Sequence, residues 1–447
     1  MLTDINRRRF VRTAAGAFVS ASVLPGAAAN DKVRLGFIGV GGHGTSHVHH
    51  VLRFDHVEVP AICDITERNL DRALDAVEKS GRKRPEGYSA HEESFRDMVT
   101  RDDLDGVIIA TPWRWHIPMA IAAMRAGKYA AVEPGPASSV EECWDLVKAF
   151  EETGKPCMLL ENHCYDRWNM ALLRMVREGL FGEVIHCQCG YEHDLRGRIV
   201  KGKTTGITEP SGGDYRTLQN KKRNADLYPT HGIGPVANWL NIDRGNRFSY
   251  LTSTASKSRG LTQWTEDNLE PDHPAADVDW AMGDIVTTVI KCANGETVVV
   301  NFDTRSPRPY SNMRRLQGTK GIWLQDGDAT SLNKSTIHIE GRSPTHKWES
   351  FEPYQREFEH PLWQRYLREG VVAGHRGSGY LKVRGFVESI RRQIPPPIDT
   401  YDTASWMAIS PLSERSIAAG SGRVDFPDFT NGRWMSNKPI FGLTDEV

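Results

Sequence analysis

The chain has no excess of either charge, no paired-cysteine motif, no internal repeat and no apolar stretch long enough to cross a bilayer. Lys and Arg total 56 against 57 Asp and Glu, a net charge of -1. Past the first residues no block of one sign occurs, so there is no basic face of the kind that marks nucleic-acid binders. Seven cysteines (Cys63, Cys143, Cys157, Cys164, Cys187, Cys189 and Cys292) form no Cys-x-x-Cys pair. Their odd number and spacing indicate neither a zinc site nor a disulfide framework, and no metal is expected. Cys187 and Cys189 alternate on one face of an expected strand and read as core.

The apolar run Thr13 to Leu24 falls well short of the roughly 20 residues a membrane span needs, so no membrane insertion is expected. It follows Asn6-Arg7-Arg8-Arg9-Phe10-Val11-Arg12 and precedes Pro25-Gly26-Ala27-Ala28-Ala29. A twin arginine, a mildly hydrophobic core and small residues at a cleavage position read as an export signal over 1–29. That machinery carries proteins that have already folded in the cytoplasm. The expected address is periplasmic or secreted, and folding before export accounts for free thiols.

What the sequence does contain begins with a nucleotide-binding pattern. Val33 to Ile38 is a short apolar strand run ending in Gly39-Val40-Gly41-Gly42-His43-Gly44, with a helix expected from Thr45 to Phe54. Gly39, Gly41 and Gly44 satisfy G-x-G-x-x-G in its strand–turn–helix context. Bare backbone lets a pyrophosphate approach, and a helix N-terminus favours its charge. A second strand, Val57 to Cys63, ends in Asp64, about 20 residues beyond Gly44, where an acidic side chain meets the adenosine ribose. A carboxylate there repels a 2′-phosphate, so the expected cofactor is NAD. Strands at 105–110, 129–133 and 157–160 alternate with helices at 117–126 and 140–153. Loops after strand carboxyl ends line the cofactor crevice in such folds. This places Gly42, His43, Trp113, Arg114, Trp115, His116, Glu133, Pro134 and Asn162 among the candidate cofactor contacts.

Beyond a helix at 168–178, stretches at 183–191, 249–256, 284–292, 296–303 and 321–325 read as strands. A run of strands after a nucleotide domain suggests an open, mostly antiparallel sheet with helices on one face. The expected fold class is α/β, a Rossmann domain over 30–160, an α+β domain over 161–434 and a tail over 435–447. Helix 381–392 and the segment 403–419 are expected to pack back on the core.

Thr111-Pro112-x-x-x-His116 with a strand-ending Glu133-Pro134 resembles the glucose–fructose oxidoreductase / inositol dehydrogenase superfamily. More narrowly, Thr111-Pro112-Trp113, Leu160-Glu161-Asn162 and Gly190-Tyr191-Glu192-His193-Asp194-Leu195-Arg196 resemble glycoside hydrolase family 109, the NAD-dependent α-N-acetylgalactosaminidases. So do Asp226-Leu227-Tyr228-Pro229-Thr230-His231-Gly232, Asn241 to Arg247, and Asp428-Phe429-Thr430-Asn431-Gly432-Arg433-Trp434. The resemblance covers about residues 32 to 434. The chain departs from it at Glu133-Pro134-Gly135-Pro136, where the family usually has Glu-Val-Pro, in Gly374 to Gly379, which lacks the Met-Asp the family tends to carry where Ser378-Gly379 stand, and at Tyr215, where Trp is common. The segment 197–215 is also short.

The resemblance implies a glycosidase that oxidises the sugar at C3, removes the acidified C2 proton, eliminates the C1 aglycone, adds water and reduces C3 again. Such a route needs groups that carry protons rather than a nucleophile. It implies His231, Tyr191 and Tyr310 as catalytic, with Tyr228, Arg216, Pro229 and Thr230 binding a small-molecule or glycan substrate. His231 stands just before Gly232-Ile233-Gly234-Pro235, at an expected helix start that favours a neutral imidazole. His43, His47, His49 and His50 belong to the cofactor helix. An ordinary sugar or inositol dehydrogenase is the alternative, although its usual Glu-Lys-Pro lysine is missing after Glu133. A third reading is a sugar-binding protein without chemistry. An open sheet face also leaves room for a homo-oligomer.

Overall fold

The computed structural model describes residues 32–202, 214–325, 335–370 and 377–446; the export signal expected over 1–29 and Gly374 to Arg376 lie outside them. The first sheet holds β1 (Val33–Ile38), β2 (Val57–Cys63), β3 (Glu86–Tyr88), β4 (Gly106–Ile109), β5 (Tyr129–Val132) and β6 (Cys157–Leu159). All pairs are parallel, in the order β3-β2-β1-β4-β5-β6. Strands β4, β5 and β6 are buried along their whole length, as a sheet covered by helices on both faces requires. Between β1 and β4 the chain order switches direction, and this opens the crevice above the strand carboxyl ends.

The helix after β1 spans Gly42–Val51, starting three residues earlier than the sequence suggests and ending three earlier. The last residues of the glycine turn are its first helical turn. Gly44 has to be glycine, because a Cβ there would lie 2.0 Å from the Gly39 carbonyl oxygen.

The second sheet holds β7 (Val184–Glu192), β8 (Phe248–Ala255), β9 (Ile285–Cys292), β10 (Thr297–Asp303), β11 (Arg315–Gly318), β12 (Gly321–Leu324), β13 (Thr336–Ile339), β14 (Glu349–Ser350) and β15 (Val424–Asp425). The order is β14-β13-β12-β11-β7-β10-β9-β8-β15. Among the described strands of this sheet only β7 and β10 pair in parallel, in a register that sets Phe302 opposite Tyr191. Buried and half-exposed residues alternate along β9 to β12, so one face meets the core and the other stays open. Cys187 and Cys189 face inward, and every cysteine is free and buried.

Helix Thr230–Trp239 crosses the covered face of β7. Two bare residues allow the approach, since a Cβ on Gly232 would stand 2.9 Å from Gly190 N. This contact brings His231 beside Tyr191.

Helix Ser378–Arg392 packs back on the nucleotide domain, and helix Thr400–Ala418 packs between that domain and β8, where Ser416 Oγ accepts from the Ser253 amide at 2.7 Å. Ile390 and Phe386 lie against Gly106 of β4, and Thr400 Oγ1 accepts from the Cys157 amide at 2.9 Å. The Asn241 to Arg247 run serves this docking. Arg244 makes two bonds to Asp402, at 2.6 and 2.8 Å, and reaches Asp399 at 3.0 Å. Phe441, near the C-terminus, is buried against Tyr165.

Candidate active site

A groove runs along the carboxyl ends of the first sheet. Gly39, Gly41, Gly42, His43 and Asp64 line one part, and Trp113, Arg114 and Trp115 line another. Asp214, Tyr215 and Arg198 of the second domain close over it. A Cβ on Gly41 or Gly42 would meet nothing within 4 Å, so the free N-terminus of helix Gly42–Val51 faces open space that suits a diphosphate. Asp64 stands ready at the end of β2. One carboxylate oxygen accepts from Val40 N at 2.7 Å, and the other accepts from Thr66 N at 2.8 Å. The groove therefore fits a dinucleotide by its shape and its donor set.

The remaining cofactor candidates support this groove from behind. His116 is buried and bonds the Thr111 carbonyl at 2.8 Å. Glu133 is held by His47 Nε2 at 2.6 Å and by Lys382 Nζ at 2.7 Å, and that ammonium also donates to the Leu160 carbonyl at 2.9 Å. Burial alone would raise the Glu133 carboxyl, but Lys382 and His47 hold it well below its usual range. Pro134 is buried, and Asn162 opens a short helical turn, Asn162–Tyr165, after β6. Gly135 now has a reason: a Cβ would stand 2.5 Å from Trp113 Cδ1, so the indole lies on bare backbone.

The second set of candidates converges beside the groove. His231 is ringed by Tyr228 at 4.7 Å and Tyr191 at 5.4 Å between ring centroids, and Tyr191 meets Tyr310 at 5.8 Å. The Arg216 guanidinium lies over Trp113 at 4.4 Å and Tyr228 at 5.2 Å. Its Nε is buried with no partner among the described residues. The guanidinium stays cationic against burial, with the Asp214 carboxylate among the groups that support its charge. Burial pushes the Tyr191, Tyr228 and Tyr310 phenols up, so each holds its proton at neutral pH. Pro229 and Thr230 are buried at the head of helix Thr230–Trp239, where the Thr230 hydroxyl lacks a partner among the described residues.

Two residues at the centre were not singled out from sequence. Glu161, with no exposed surface, faces His231 Nδ1 with both oxygens, at 2.9 and 2.8 Å. Burial pushes its carboxyl up, yet His231 and then His163 overcome that and hold it at about 2. His163 bonds Asp166 through Nδ1 at 2.5 Å and the Tyr310 hydroxyl through Nε2 at 2.9 Å. Glu161, His163 and His231 bring donor atoms within 4.8 Å of one another. His231 Nδ1 and both His163 nitrogens already have hydrogen-bond partners, in Glu161, Asp166 and Tyr310. The signal for His163 was its spacing of three from Asp166 in a turn after a strand.

Comparison with known proteins agrees with this geometry. Residues 165–436 match the family model described as Glycosyl hydrolase 109, C-terminal domain, and residues 33–161 match an oxidoreductase-family NAD-binding Rossmann fold. A Tannerella forsythia protein named alpha-N-acetylgalactosaminidase is 44% identical, covering 98% of this chain and 99% of its own. A glycosyl hydrolase family 109 protein of Stenotrophomonas maltophilia is 45% identical, covering 98% of each chain. Among solved structures, levoglucosan dehydrogenase with NADH and levoglucosan shares the fold, with a TM-score of 0.64 at 18% identity over 89% of this chain and 100% of that one. The chain belongs to glycosyl hydrolase family 109, a glycoside hydrolase built on an NAD-binding Rossmann domain.

Proposed function

We propose that this hydrolase cleaves α-N-acetylgalactosaminides by transient oxidation at C3, elimination of the aglycone, addition of water and re-reduction. The observation that carries the reading is the buried Glu161–His231 pair set among Tyr191, Tyr228 and Tyr310 beside the dinucleotide groove. The relative named for that activity supports the choice of sugar.

NAD, when bound, supplies a reversible hydride acceptor for C3. Gly39, Gly41, Gly42 and His43 cradle its diphosphate, and Asp64 takes the ribose hydroxyls. Trp113, Arg114 and Trp115, which line the groove, would meet its nicotinamide half together with Asn162 after β6, while Gly44, His116, Glu133 and Pro134 hold the crevice in shape. His231, fixed by Glu161 through Nδ1, offers Nε2 as the base for a sugar hydroxyl. A charge-assisted bond to a buried carboxylate stabilises the imidazolium that forms. Tyr191 and Tyr310 exchange protons with the sugar, and Arg216 orients it with Tyr228, Pro229 and Thr230. Export by the twin-arginine route and pairing of two copies through the open sheet face complete the proposal. The Arg7-Arg8 run supports the first, and the half-exposed apolar residues of β9 support the second.

Purified protein supplied with an aryl α-N-acetylgalactosaminide tests the reading. Aryl release with no net NADH at 340 nm is expected. Net NADH without cleavage would make the protein a dehydrogenase instead.

A further inference from the structure

The Glu161–His231 pair accounts for one proton, whereas the proposed route takes two from the sugar before the aglycone leaves. One comes from the C3 hydroxyl and one from C2. We propose that His163, oriented by Asp166, is a positioning residue that makes Tyr310 a second, separately loaded proton carrier. This inference rests on the glycosidase reading for its proton count.

The hydrogen bonds define the direction of transfer. Asp166 is buried at the head of helix Arg167–Arg177, and its carboxylate accepts from His163 Nδ1 at 2.5 Å. That leaves the Nε2 lone pair facing the Tyr310 hydroxyl at 2.9 Å. Asn312 Nδ2 donates to the same phenol oxygen at 3.2 Å, so the phenol's own proton points to His163. The imidazole cannot drift, because Glu161 accepts from its backbone amide at 3.0 Å and Asn169 Nδ2 donates to its carbonyl at 2.8 Å. Tyr310 is placed from the other side. Arg308 ties its loop to Glu192 and to Asp303, and Ser311 pairs with Glu192 by two backbone bonds.

Proton balance follows from this geometry. The Tyr310 O–H bond breaks as an N–H bond forms at His163 Nε2, and the phenolate then takes a proton from the sugar. Tyrosine ends neutral, histidine cationic and Asp166 anionic, so the relay passes from one net negative charge to none as it stores the sugar's proton. On return the same steps run backwards, with no outside reactant. Burial that holds the Tyr310 phenol far above solution behaviour makes such a nearby base necessary for it to act at neutral pH.

A double-mutant cycle on aryl release separates a relay from a structural role. His163→Ala and Asp166→Asn should each lower kcat by about 30-fold or more while KM stays within about twofold, the pattern of an interaction used after binding. Bound NAD, measured after denaturation, should stay at the wild-type content, and imidazole should restore part of the His163→Ala rate. In a Tyr310→Phe background, His163→Ala should cost nothing further. An equal second loss in that background, or near-normal kcat in His163→Ala, overturns the relay alone. Wild-type protein that releases no aryl group overturns the glycosidase reading and the relay together.

Discussion

Replacing Glu161 by Gln keeps the shape of the side chain and removes the charge that faces His231. Both oxygens now accept from Nδ1, at 2.8 and 2.9 Å, inside a site with no exposed carboxylate surface. Holding this carboxyl at about 2, against an ordinary 4.5, corresponds to about 3 kcal/mol of preference for the charged form. Much of that preference is available to stabilise the imidazolium during turnover. At 1.4 kcal/mol for each tenfold, its loss predicts a fall in kcat of about 100-fold. The glutamine oxygen can still accept from His163 N, so the turn after β6 should hold and NAD content should not change. Aryl release under saturating substrate, with nucleotide content and thermal midpoint measured alongside, reads all of this. A Glu161→Gln variant within about threefold of wild-type kcat would refute the reasoning that His231 works as a carboxylate-supported base.

Three further outcomes follow from the same structure. Lys382→Met leaves the Glu133 carboxylate facing His47 alone and should cost about 3 kcal/mol or more in chemical denaturation; an unchanged midpoint would contradict the buried pair. Asp64→Ala should lower the NAD content of purified protein by about tenfold, given the charge-assisted bonds a ribose would lose, and full occupancy would remove the assignment. Asp243 is pushed up to about 8 by burial first and by Asp402 second. It therefore keeps its proton in the folded state at neutral pH and loses it in the unfolded chain, so stability falls as pH rises from about 4 towards 8. Asp243→Asn should flatten that fall in urea midpoints between pH 5 and 8, and an unaltered slope would count against it. Asp226 and Asp402, pushed up to about 7 and about 6 chiefly by burial, leave a residual slope.

The parts of this architecture that repeat locally were legible in the sequence. The glycine turn, Asp64 and the buried strands announce a Rossmann domain because their spacing is set within some thirty residues. The longer strands of the second sheet were visible by alternation, whereas β11, β13, β14 and β15 are too short to show a period. The site divides in the same way. His231, Tyr191, Tyr228 and Tyr310 stood out within their runs, but Glu161 is silent until folding sets it against His231, 70 residues away. Lys382 reaches Glu133 across 249 residues of chain, a distance no motif spans. The departure at Gly135 proves to be the seat of the Trp113 indole, a contact that no local spacing shows.

The account's central claim is that the sugar is cleaved through oxidation at C3 and loss of the C2 proton. Its most direct test is hydrolysis of an aryl α-N-acetylgalactosaminide in deuterated water, with mass spectrometry of the released sugar. Deuterium at C2, with aryl release and no net NADH, is the predicted result. Aryl release with hydrogen retained at C2 would contradict it.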